Sequence, residues 1–306
     1  MRALVAAYIA LRRAAGFKMS TVEWRLNLFA RFAEDKGEDH IRIGTATAWA
    51  AQARTPHARH IRMRNLIRFA AHLRAEDRAH EVPPSGVFAY RWSAHPPRLF
   101  EDEDIARLLA AAGRLSPIGS SRPATIRTLF ALLAVTGMRV GEALHLAVSD
   151  LSAEGVLIRD TKFRKSRFLP LHPTVGAALA AYRDRWRALA AKDEPLFVSM
   201  RGRAFSYTTI VKLFLRISRN LSLRGPPGRP GCPADGPRLH DLRHTFAVRA
   251  LESCGGGREA VNRHTLALST YLGHASLAGT SWYLHVSPRL MTGIADACEA
   301  LPEDRS

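Results

Sequence analysis

One feature restricts the fold of this chain before any other: a break in helical pattern that separates a shorter first part from a longer second part. The break is rich in the two residues that interrupt helices, Pro83, Pro84, Gly86, Pro96 and Pro97. Such a composition favours an extended linker. We therefore predict a helical N-terminal domain over residues 1–82, a linker over 83–98 and a larger second domain over 99–306.

Hydrophobic residues recur at helical spacing on both sides of this linker. In the first domain they are Leu4, Tyr8 and Leu11, then Trp24, Leu28, Phe29 and Phe32, then Ile61, Leu66, Ile67, Phe69, Ala70 and Leu73. In the second domain we predict helices beginning at residue 100 and over 173–189, 207–221 and 239–252. Residues 156–159 and 167–171 have strand composition and predict a hairpin. The expected fold class is mainly α with a small antiparallel β-sheet.

The charge balance indicates a polyanionic partner. The chain of 306 residues has a net charge of +18. Residues 1–98 hold 17 Lys and Arg against 8 Asp and Glu, and the remainder holds 28 against 19, so each part contributes +9. Nucleic acid is the commonest partner of such a surface. Both parts are therefore expected to contact it.

One segment of the first domain is a candidate for phosphate contact. Residues 54–74 contain six arginines and no acid, which suits a helix lying along a nucleic-acid backbone. The candidate contacts are Arg54, Arg59, Arg62 and Arg68. The alternative is an ordinary solvated helix surface, since Arg62 and Arg64 cannot lie on the same helix face.

Cysteine usage and hydropathy exclude several other classes of protein. Cys232, Cys254 and Cys298 are odd in number and lack the spacing of metal ligands, so neither a disulfide framework nor a zinc site is indicated. A reduced cytosolic compartment fits best. The apolar residues 3–10 are followed by two arginines and lack a signal-peptide cleavage site. No apolar run reaches the roughly 18 residues that a membrane span needs.

Five short fragments carry side chains suited to phosphodiester chemistry: TGMRVGE (136–142), TKFRKSR (161–167), LHDLRHTFA (239–247), LGHASL (272–277) and TSWYLHV (280–286). A side-chain nucleophile needs cations on the non-bridging oxygens, activation of the nucleophile, and a proton for the leaving oxygen. Arginine suits the first task, because its planar fork matches two oxygens. Attack on a phosphodiester without a metal needs a set of this kind: two arginines, two histidines, a lysine and a tyrosine.

Taken singly, these patterns are weak. His240 and Arg243 are three residues apart and share a face of a predicted helix, but such pairs are common in basic proteins. Tyr283 lies nine residues after His274. A tyrosine near a chain end ordinarily packs against its own domain, as Tyr271 is expected to. The pKa of a phenol, about 10, makes it a poor nucleophile without cations beside it.

Together, the fragments resemble the motifs of tyrosine recombinases, the phage integrase family. TGMRVGE is similar to the first motif, LHDLRHTFA to the second, and LGHASL with the following Trp-Tyr pair to the third. The resemblance implies that Arg139 and Arg243 contact the phosphate and that Tyr283 is the nucleophile. His240 would hydrogen-bond or transfer a proton at the phosphate, and His274 belongs to the same catalytic set.

The resemblance also implies supporting roles. Glu142 would buttress Arg139 without acting as a base, and His244 is expected to be a neighbour that packs or contacts phosphate. Lysine is scarce, six in the chain, yet two fall within four positions at the hairpin tip. An ammonium can donate a proton whereas a guanidinium essentially cannot. Lys162 is thus implied as general acid for the leaving 5′ oxygen, with Lys165 as the alternative or as a DNA contact.

One stretch departs from the family pattern. Residues 255–264 lengthen the segment between Arg243 and His274, and the stretch 267–283 looks more like transposon-encoded members, including those in recombinase trios. After the tyrosine, apolar residues recur at helical spacing over 290–301. This last segment is expected either to pack on its own domain or to dock on a neighbouring protomer.

By resemblance, the chain is expected to be a two-domain clamp around double-stranded DNA at specific recombination sites. Cleavage would give a 3′-phosphotyrosyl link, and a tetramer would pass through a Holliday junction, with sister recombinases or accessory proteins as further partners. No metal or cofactor is required, and the setting is the bacterial cytoplasm, at the nucleoid when DNA is bound. The alternatives are type IB topoisomerase-like strand relaxation and a non-catalytic DNA-binding relative.

Overall fold

The computed structural model describes residues 1–90, 97–159, 166–188, 190–226, 236–254, 258–274 and 276–285. These residues form two compact units, the first within residues 1–90 and the second from residue 97 onward. The predicted fold class, mainly α with a small antiparallel β-sheet, is confirmed. Among the described helices, none combines the length and the apolar character needed to cross a membrane.

The first unit contains four helices: α1 (Arg2–Ala14), α2 (Ser20–Glu34), α3 (Ile43–Ala51) and α4 (Pro56–Glu76). Helix α4 begins where the Thr55 side chain accepts a hydrogen bond from the Ala58 amide (3.1 Å), with proline at the first helical position. The aromatic rings of Phe29 and Phe69 are fully buried among the four helices. Burying such rings is a main source of stability in a unit of this size.

Two residues predicted for the apolar helix faces are not in this core. Leu11 is 55% exposed and Trp24 is 59% exposed. The buried stripes of α1 and α2 instead include Ile9 and Leu26. A helix turns about 100° per residue, so a residue two positions from the stripe points to nearly the opposite side. Periodicity identified these helices correctly but assigned these two side chains to the wrong face.

The second unit contains eight helices and one hairpin among its described residues. They are α5 (Asp102–Ala112), α6 (Ser121–Thr136), α7 (Val140–Leu144), β1 (Gly155–Ile158), β2 (Arg167–Pro170), α8 (Pro173–Trp186), α9 (Tyr207–Asn220), α10 (Asp241–Glu252), α11 (Arg258–Leu272) and α12 (Ala278–Ser281). A 3₁₀ turn, Trp282–His285, follows α12. The predicted helices end within about three residues of these bounds, which is ordinary for sequence patterns.

The strands and most of these helices share one core. β1 and β2 pair antiparallel, with Val156 opposite Leu169, and both side chains are buried. Phe130 of α6 meets Phe214 of α9 edge to face, with ring centroids 5.9 Å apart. Aromatic pairs prefer this geometry. The core holds the start of the hairpin and the C-terminal end of α6 in fixed positions.

A smaller cluster places the C-terminal fragments against α10. Val248 and Leu251 of α10 pack with Leu268 and Leu272 of α11, and Tyr283 completes the group. Helix α10 also packs along α6. The ends of α6, α10 and α11 therefore meet at one place, which is where the sequence motifs lie.

A substitution at Gly137 tests whether the meeting of α6 with α10 depends on close packing. Gly137 follows α6 in a left-handed conformation (φ 60°), and a Cβ there would collide with the Phe246 ring of α10. We expect Gly137→Ala to destabilise the second unit by roughly 2–4 kcal/mol, from backbone strain and overpacking. The measurement is urea unfolding followed by circular dichroism.

Gly141→Ala is the matched control for that variant. Gly141 lies inside α7, and no neighbouring atom stands within 4 Å of the Cβ it would gain. It should be neutral or stabilising by up to about 1 kcal/mol. Equal unfolding free energies for the two variants would refute the packing argument.

Candidate active site

Arg139 is held at the start of α7 by the residue three positions on. Its backbone amide donates to Glu142 Oε2 (2.9 Å) and its Nη1 donates to Glu142 Oε1 (2.8 Å). The second guanidinium nitrogen, Nη2, donates to the carbonyl of Gly273 (2.9 Å). The side chain nevertheless keeps 38% of its surface exposed, so it is fixed in position but still open to a ligand.

Glu142 also pairs with Arg167, the first residue of β2. Arg167 Nη1 and Nη2 donate to the two carboxylate oxygens at 3.1 and 2.8 Å. Burial alone would raise the pKa of Glu142, but hydrogen bonds from Arg167 and Arg139 outweigh burial and lower that pKa. The carboxylate is therefore charged at neutral pH and ties the hairpin to α7.

Three arginines bind three consecutive carbonyls at the end of α11. Arg167 Nε donates to the carbonyl of Tyr271 (3.0 Å), and Arg243 Nη2 donates to that of Leu272 (2.9 Å). Arg139 contacts the next carbonyl, that of Gly273. The last carbonyls of a helix lack partners within the helix and carry partial negative charge. This helix end thus gathers three guanidinium groups around one loop.

Arg243 lies at the centre of this arrangement and is almost fully buried, with 2% of its surface exposed. Its Nη1 donates to the carbonyl of Gly137 (2.7 Å), at the end of α6. Burial and the nearby charge of Arg139 lower the pKa of Arg243 to about 10, so it stays protonated at neutral pH. Two like charges held together in this way favour an anion beside them.

The ring of His274 has both nitrogens occupied. Nε2 lies 2.9 Å from Arg243 Nη2, and Nδ1 lies 2.6 Å from Thr280 Oγ1. Because a guanidinium only donates, Nε2 must accept, which leaves the proton on Nδ1 to be donated to Thr280. Burial, together with the charges of Arg243 and Arg139, lowers the pKa of His274 to about 4. The ring is therefore neutral at pH 7.

Tyr283 places its hydroxyl inside this cluster. The side chain is 2% exposed, and its oxygen lies 2.9 Å from Nδ1 of His244. Burial raises the pKa of the phenol, while the charge of Arg243 acts in the opposite direction. The hydroxyl therefore sits where a phenolate, once formed, is stabilised by a cation.

His240 precedes α10 and stands beside His244, with ring centroids 4.7 Å apart and the planes nearly perpendicular. Its ring retains exposed surface. Desolvation on its packed side and the charges of Arg243 and Arg139 lower the pKa of His240 to about 4. Within the described residues it is His244, and not His240, that contacts the tyrosine hydroxyl.

Other predicted residues lie outside the described part of the chain. Lys162 and Lys165, the candidate general acids, fall in the segment 160–165. The glycine-rich residues 255–257 and the terminal segment beyond residue 285 also fall outside it. Of the six predicted catalytic residues, the structure brings together Arg139, His240, Arg243, His274 and Tyr283.

The arginines predicted to contact phosphate in the first unit occupy different positions. Arg54 and Arg68 are exposed. Arg59 donates from Nε to the carbonyl of Ala53 (2.9 Å), and Arg62 donates to that of Trp49 (3.0 Å) while stacking over the Trp49 ring. Arg59 and Arg62 therefore have structural contacts in addition to any phosphate contact.

One group of possible metal ligands lies in the first unit, formed by His40, Asp77 and His80. His80 Nδ1 accepts a hydrogen bond from the Ile41 amide (3.1 Å). A neutral imidazole that accepts at Nδ1 carries its proton on Nε2, so Nε2 has no lone pair for a metal. This geometry fits a hydrogen-bonded link between two loops better than a metal site.

Sequence reasoning gave no role to Arg167 or Thr280 and no catalytic role to His244. Arg167 was the first residue of the second predicted strand, with no pattern to distinguish it from other surface arginines. Thr280 is fully buried and orients His274, yet a threonine there carries no signal in the sequence. His244 was expected to be a neighbour. Its position one residue after Arg243 was visible, but its contact with Tyr283 depends on the fold.

Comparisons with known proteins show which family the chain is similar to. Residues 98–289 match the Phage integrase family. The chain is 37% identical to protein y4rB of Sinorhizobium fredii, which carries the provisional name integrase/recombinase, over 100% of this chain and 99% of that protein. It is 34% identical to the tyrosine recombinase XerC of Methylobacterium sp. (strain 4-46), over 76% and 71% of the two chains.

A solved structure gives the same fold. The chain is similar to a lambda integrase (residues 75–356) crystallised as a dimer bound to a COC′ core site, with a TM-score of 0.65 and 19% identity. The match covers 94% of this chain and 96% of that one.

The neutral histidines make the stability of the second unit depend on pH. The pKa of His244, like that of His274, is lowered to about 4. For His244 the largest cause is burial, followed by the charges of His240 and nearby arginines. In the unfolded chain the pKa of a histidine is about 6.5. Between these values the unfolded state binds protons that the folded state excludes, so stability is full above about pH 6.5 and is lost as pH falls to 4.

We expect on the order of 1–3 kcal/mol to be lost for each of these two histidines. Carboxylates titrate in the same range, so the informative comparison is between wild type and His244→Asn. Urea unfolding at pH 7 and pH 4.5 should show a smaller loss in the variant. An equal loss in both proteins would mean that His244 is not held neutral by the fold.

Proposed function

The chain belongs to the phage integrase family and is a site-specific tyrosine recombinase, an enzyme that cleaves and rejoins DNA; on this basis we propose which residues perform the reaction. Tyr283 attacks the phosphodiester and forms a 3′-phosphotyrosyl link, which keeps the bond energy for rejoining. One observation carries the assignment. The Tyr283 hydroxyl lies buried, within hydrogen-bonding distance of His244 and close enough to Arg243 for its charge to favour the phenolate.

Arg139 and Arg243 stabilise the charge that develops on the non-bridging phosphate oxygens. Arg139 is open to a ligand and already fixed by Glu142 and the Gly273 carbonyl. Arg243 lies behind it and is buried. Preorganised donors of this kind cost little reorganisation during the reaction, which is why such electrostatic stabilisation is effective.

The remaining roles follow from the family motifs. His274, as a neutral acceptor from Arg243, holds that guanidinium in place. His240 is on the exposed side of the cluster and serves at the phosphate. Lys162, or Lys165 as the alternative, protonates the leaving 5′ oxygen. The location of Tyr283 beside the arginines of its own chain supports cleavage in cis.

The assembly follows from the number of bonds to be broken. Two sites contain four strands, and each strand exchange needs its own nucleophile, so four copies are required when each chain carries one Tyr283. We therefore infer a tetramer on double-stranded DNA that passes through a Holliday junction. The lambda integrase neighbour, crystallised as a dimer on a core site, is in line with DNA binding and self-association. The named relatives are recombinases and integrases and give no support to a topoisomerase.

A covalent trapping assay tests the nucleophile. Duplexes are first selected from a random-sequence library by binding to Tyr283→Phe protein and then lightly nicked, so that short products diffuse away. Without divalent metal, wild-type protein should form an adduct that resists denaturation. Tyr283→Phe should form none while binding the same duplexes. Adduct formation by the variant, or its absence in wild type, would overturn the assignment.

We also propose a DNA-contact surface on the first unit, which we define as Arg25, Arg54 and Arg62 with the exposed Trp24. Trp24, Arg25, Arg54 and Arg62 line one groove, whose described lining includes no acid. Burial and the charges of Arg62 and Arg64 lower the pKa of Arg25, which shows how closely the cations are grouped. Such crowding is relieved when phosphates bind. Arg68 lies with Arg12 in a separate groove and is proposed as a peripheral contact.

The dependence of binding on salt tests this surface. Each phosphate contact that is lost lowers the slope of log affinity against log salt concentration by about one. We expect this decrease for Arg25→Ala and for Arg54→Ala, measured by fluorescence anisotropy on selected duplexes. Arg13→Ala is the matched control, because Arg13 already pairs with Glu23 at 2.6 Å. A similar decrease in the control would place the DNA elsewhere.

A further inference from the structure

We propose that His244 accepts the proton of Tyr283 when the phenol attacks DNA, and that Asp241 stabilises the imidazolium that results. This inference rests on the proposed function, since it names the proton acceptor of the same site. The family resemblance implied proton transfer by His240 and left His244 without a catalytic role. The contacts around the tyrosine assign the role differently.

His244 is the described side chain whose basic nitrogen reaches the reacting oxygen. Its Nδ1 lies 2.9 Å from the Tyr283 hydroxyl, within the range required of a general base. His274 also faces the tyrosine, with ring centroids 6.3 Å apart, but its nitrogens are bonded to Arg243 and Thr280. His240 contacts the ring of His244 and has no hydrogen bond to the hydroxyl among the described residues.

The surroundings favour the tautomer that accepts at Nδ1. His244 Nε2 is 3.9 Å from Asp241 Oδ1, one helical turn earlier. A carboxylate near Nε2 favours the proton on that nitrogen and leaves the Nδ1 lone pair for the tyrosine. The charge of Arg243 lowers the pKa of the same hydroxyl against the effect of burial, so it favours the phenolate that proton transfer to His244 leaves. Nucleophile, imidazole and carboxylate thus stand in the order that a hydroxyl nucleophile, its base and an orienting acid require.

The charge balance changes when DNA binds. In the free protein, burial and the cations around it lower the pKa of His244 to about 4 and keep the ring neutral, ready to accept. The groups facing it are Asp241, His240 and Arg243 of the α10 region, Arg238 before it, and His274 after α11. A phosphate beside Arg139 and Arg243 brings negative charge, which raises the affinity of His244 for a proton.

In cleavage, two protons move and one phosphorus–oxygen bond replaces another. The Tyr283 O–H bond breaks and its proton passes to His244 Nδ1, while the phenolic oxygen forms a bond to phosphorus. The bond from phosphorus to the 5′ oxygen breaks, and that oxygen takes a proton from the general acid, assigned by resemblance to Lys162. In rejoining, the 5′ hydroxyl attacks phosphorus and its proton returns to the general acid. The bond from phosphorus to the Tyr283 oxygen breaks, and His244 returns the first proton to that oxygen.

His244→Asn separates proton acceptance from positioning. The Asn amide oxygen can take the place of Nδ1 and accept a hydrogen bond from Tyr283, but it cannot hold a proton. We expect the single-turnover rate of adduct formation to fall by roughly 10²–10⁴-fold, the usual contribution of a general base. Affinity for the selected duplexes and thermal melting should change little. A rate within about threefold of wild type would mean that His244 only positions the hydroxyl, and would overturn the proposal.

Two further readouts distinguish a base from a structural residue. Free imidazole should restore part of the rate of adduct formation to His244→Ala. The rate of His244→Asn should approach that of wild type at high pH, because Tyr283 ionises there without a base. Once wild-type adducts have mapped the cleavage position, a substrate with sulfur in place of the leaving 5′ oxygen should rescue Lys162→Met but not His244→Asn. The assignment would be refuted if the sulfur substrate rescued His244→Asn. It would also be refuted if imidazole did not rescue His244→Ala and the difference in rate between His244→Asn and wild type stayed the same at high pH. Failure of wild type to form any adduct would refute the proposed function itself.

Discussion

The candidate site depends on the C-terminal end of one helix. The carbonyls of Tyr271, Leu272 and Gly273 each accept a hydrogen bond from a different arginine, Arg167, Arg243 and Arg139 respectively. Carbonyls at a helix end are unpaired and electronegative, and they compensate part of the repulsion among three cations. Glu142 compensates more, since it binds two of the three guanidinium groups. The remaining positive charge is what a phosphate would neutralise.

The same cations also act on the neighbouring histidines. Burial disfavours protonation of the His244 and His274 rings, and the charge of nearby arginines adds to this effect, so both rings are neutral while DNA is absent. Neutral rings have one donor and one acceptor nitrogen, and their partners determine which is which. Arg243 makes one ring a fixed acceptor, whereas Tyr283 gives the other a proton to accept. The proposed roles of charge stabilisation and proton transfer are therefore divided between residue types within one cluster.

The sequence was sufficient for the parts of this site whose residues lie in fragments with a recognisable pattern. The helices, the hairpin and the grouping of Arg139, Arg243, His274 and Tyr283 could all be predicted in this way. Arg167 could not, because its role depends on a carboxylate 25 residues away in the chain and on a carbonyl 104 residues away. Trp24 was misplaced for a different reason. Periodicity shows that a face is apolar but does not show which side chains of a mixed helix reach the core.

The burial of the cluster also affects which reaction the covalent link would undergo. Tyr283 and Arg243 are each 2% exposed, whereas Arg139 keeps 38% of its side chain open. Under the proposed function, a phosphate would first meet Arg139 and would reach the tyrosine only after it had displaced water from the cations. Removing water strengthens the attraction between phosphate and arginine, and it also keeps water from competing with the 5′ hydroxyl for the covalent link. If Tyr283 is the nucleophile, as proposed, its burial behind an exposed arginine would favour rejoining over hydrolysis, which is what an enzyme that exchanges strands requires.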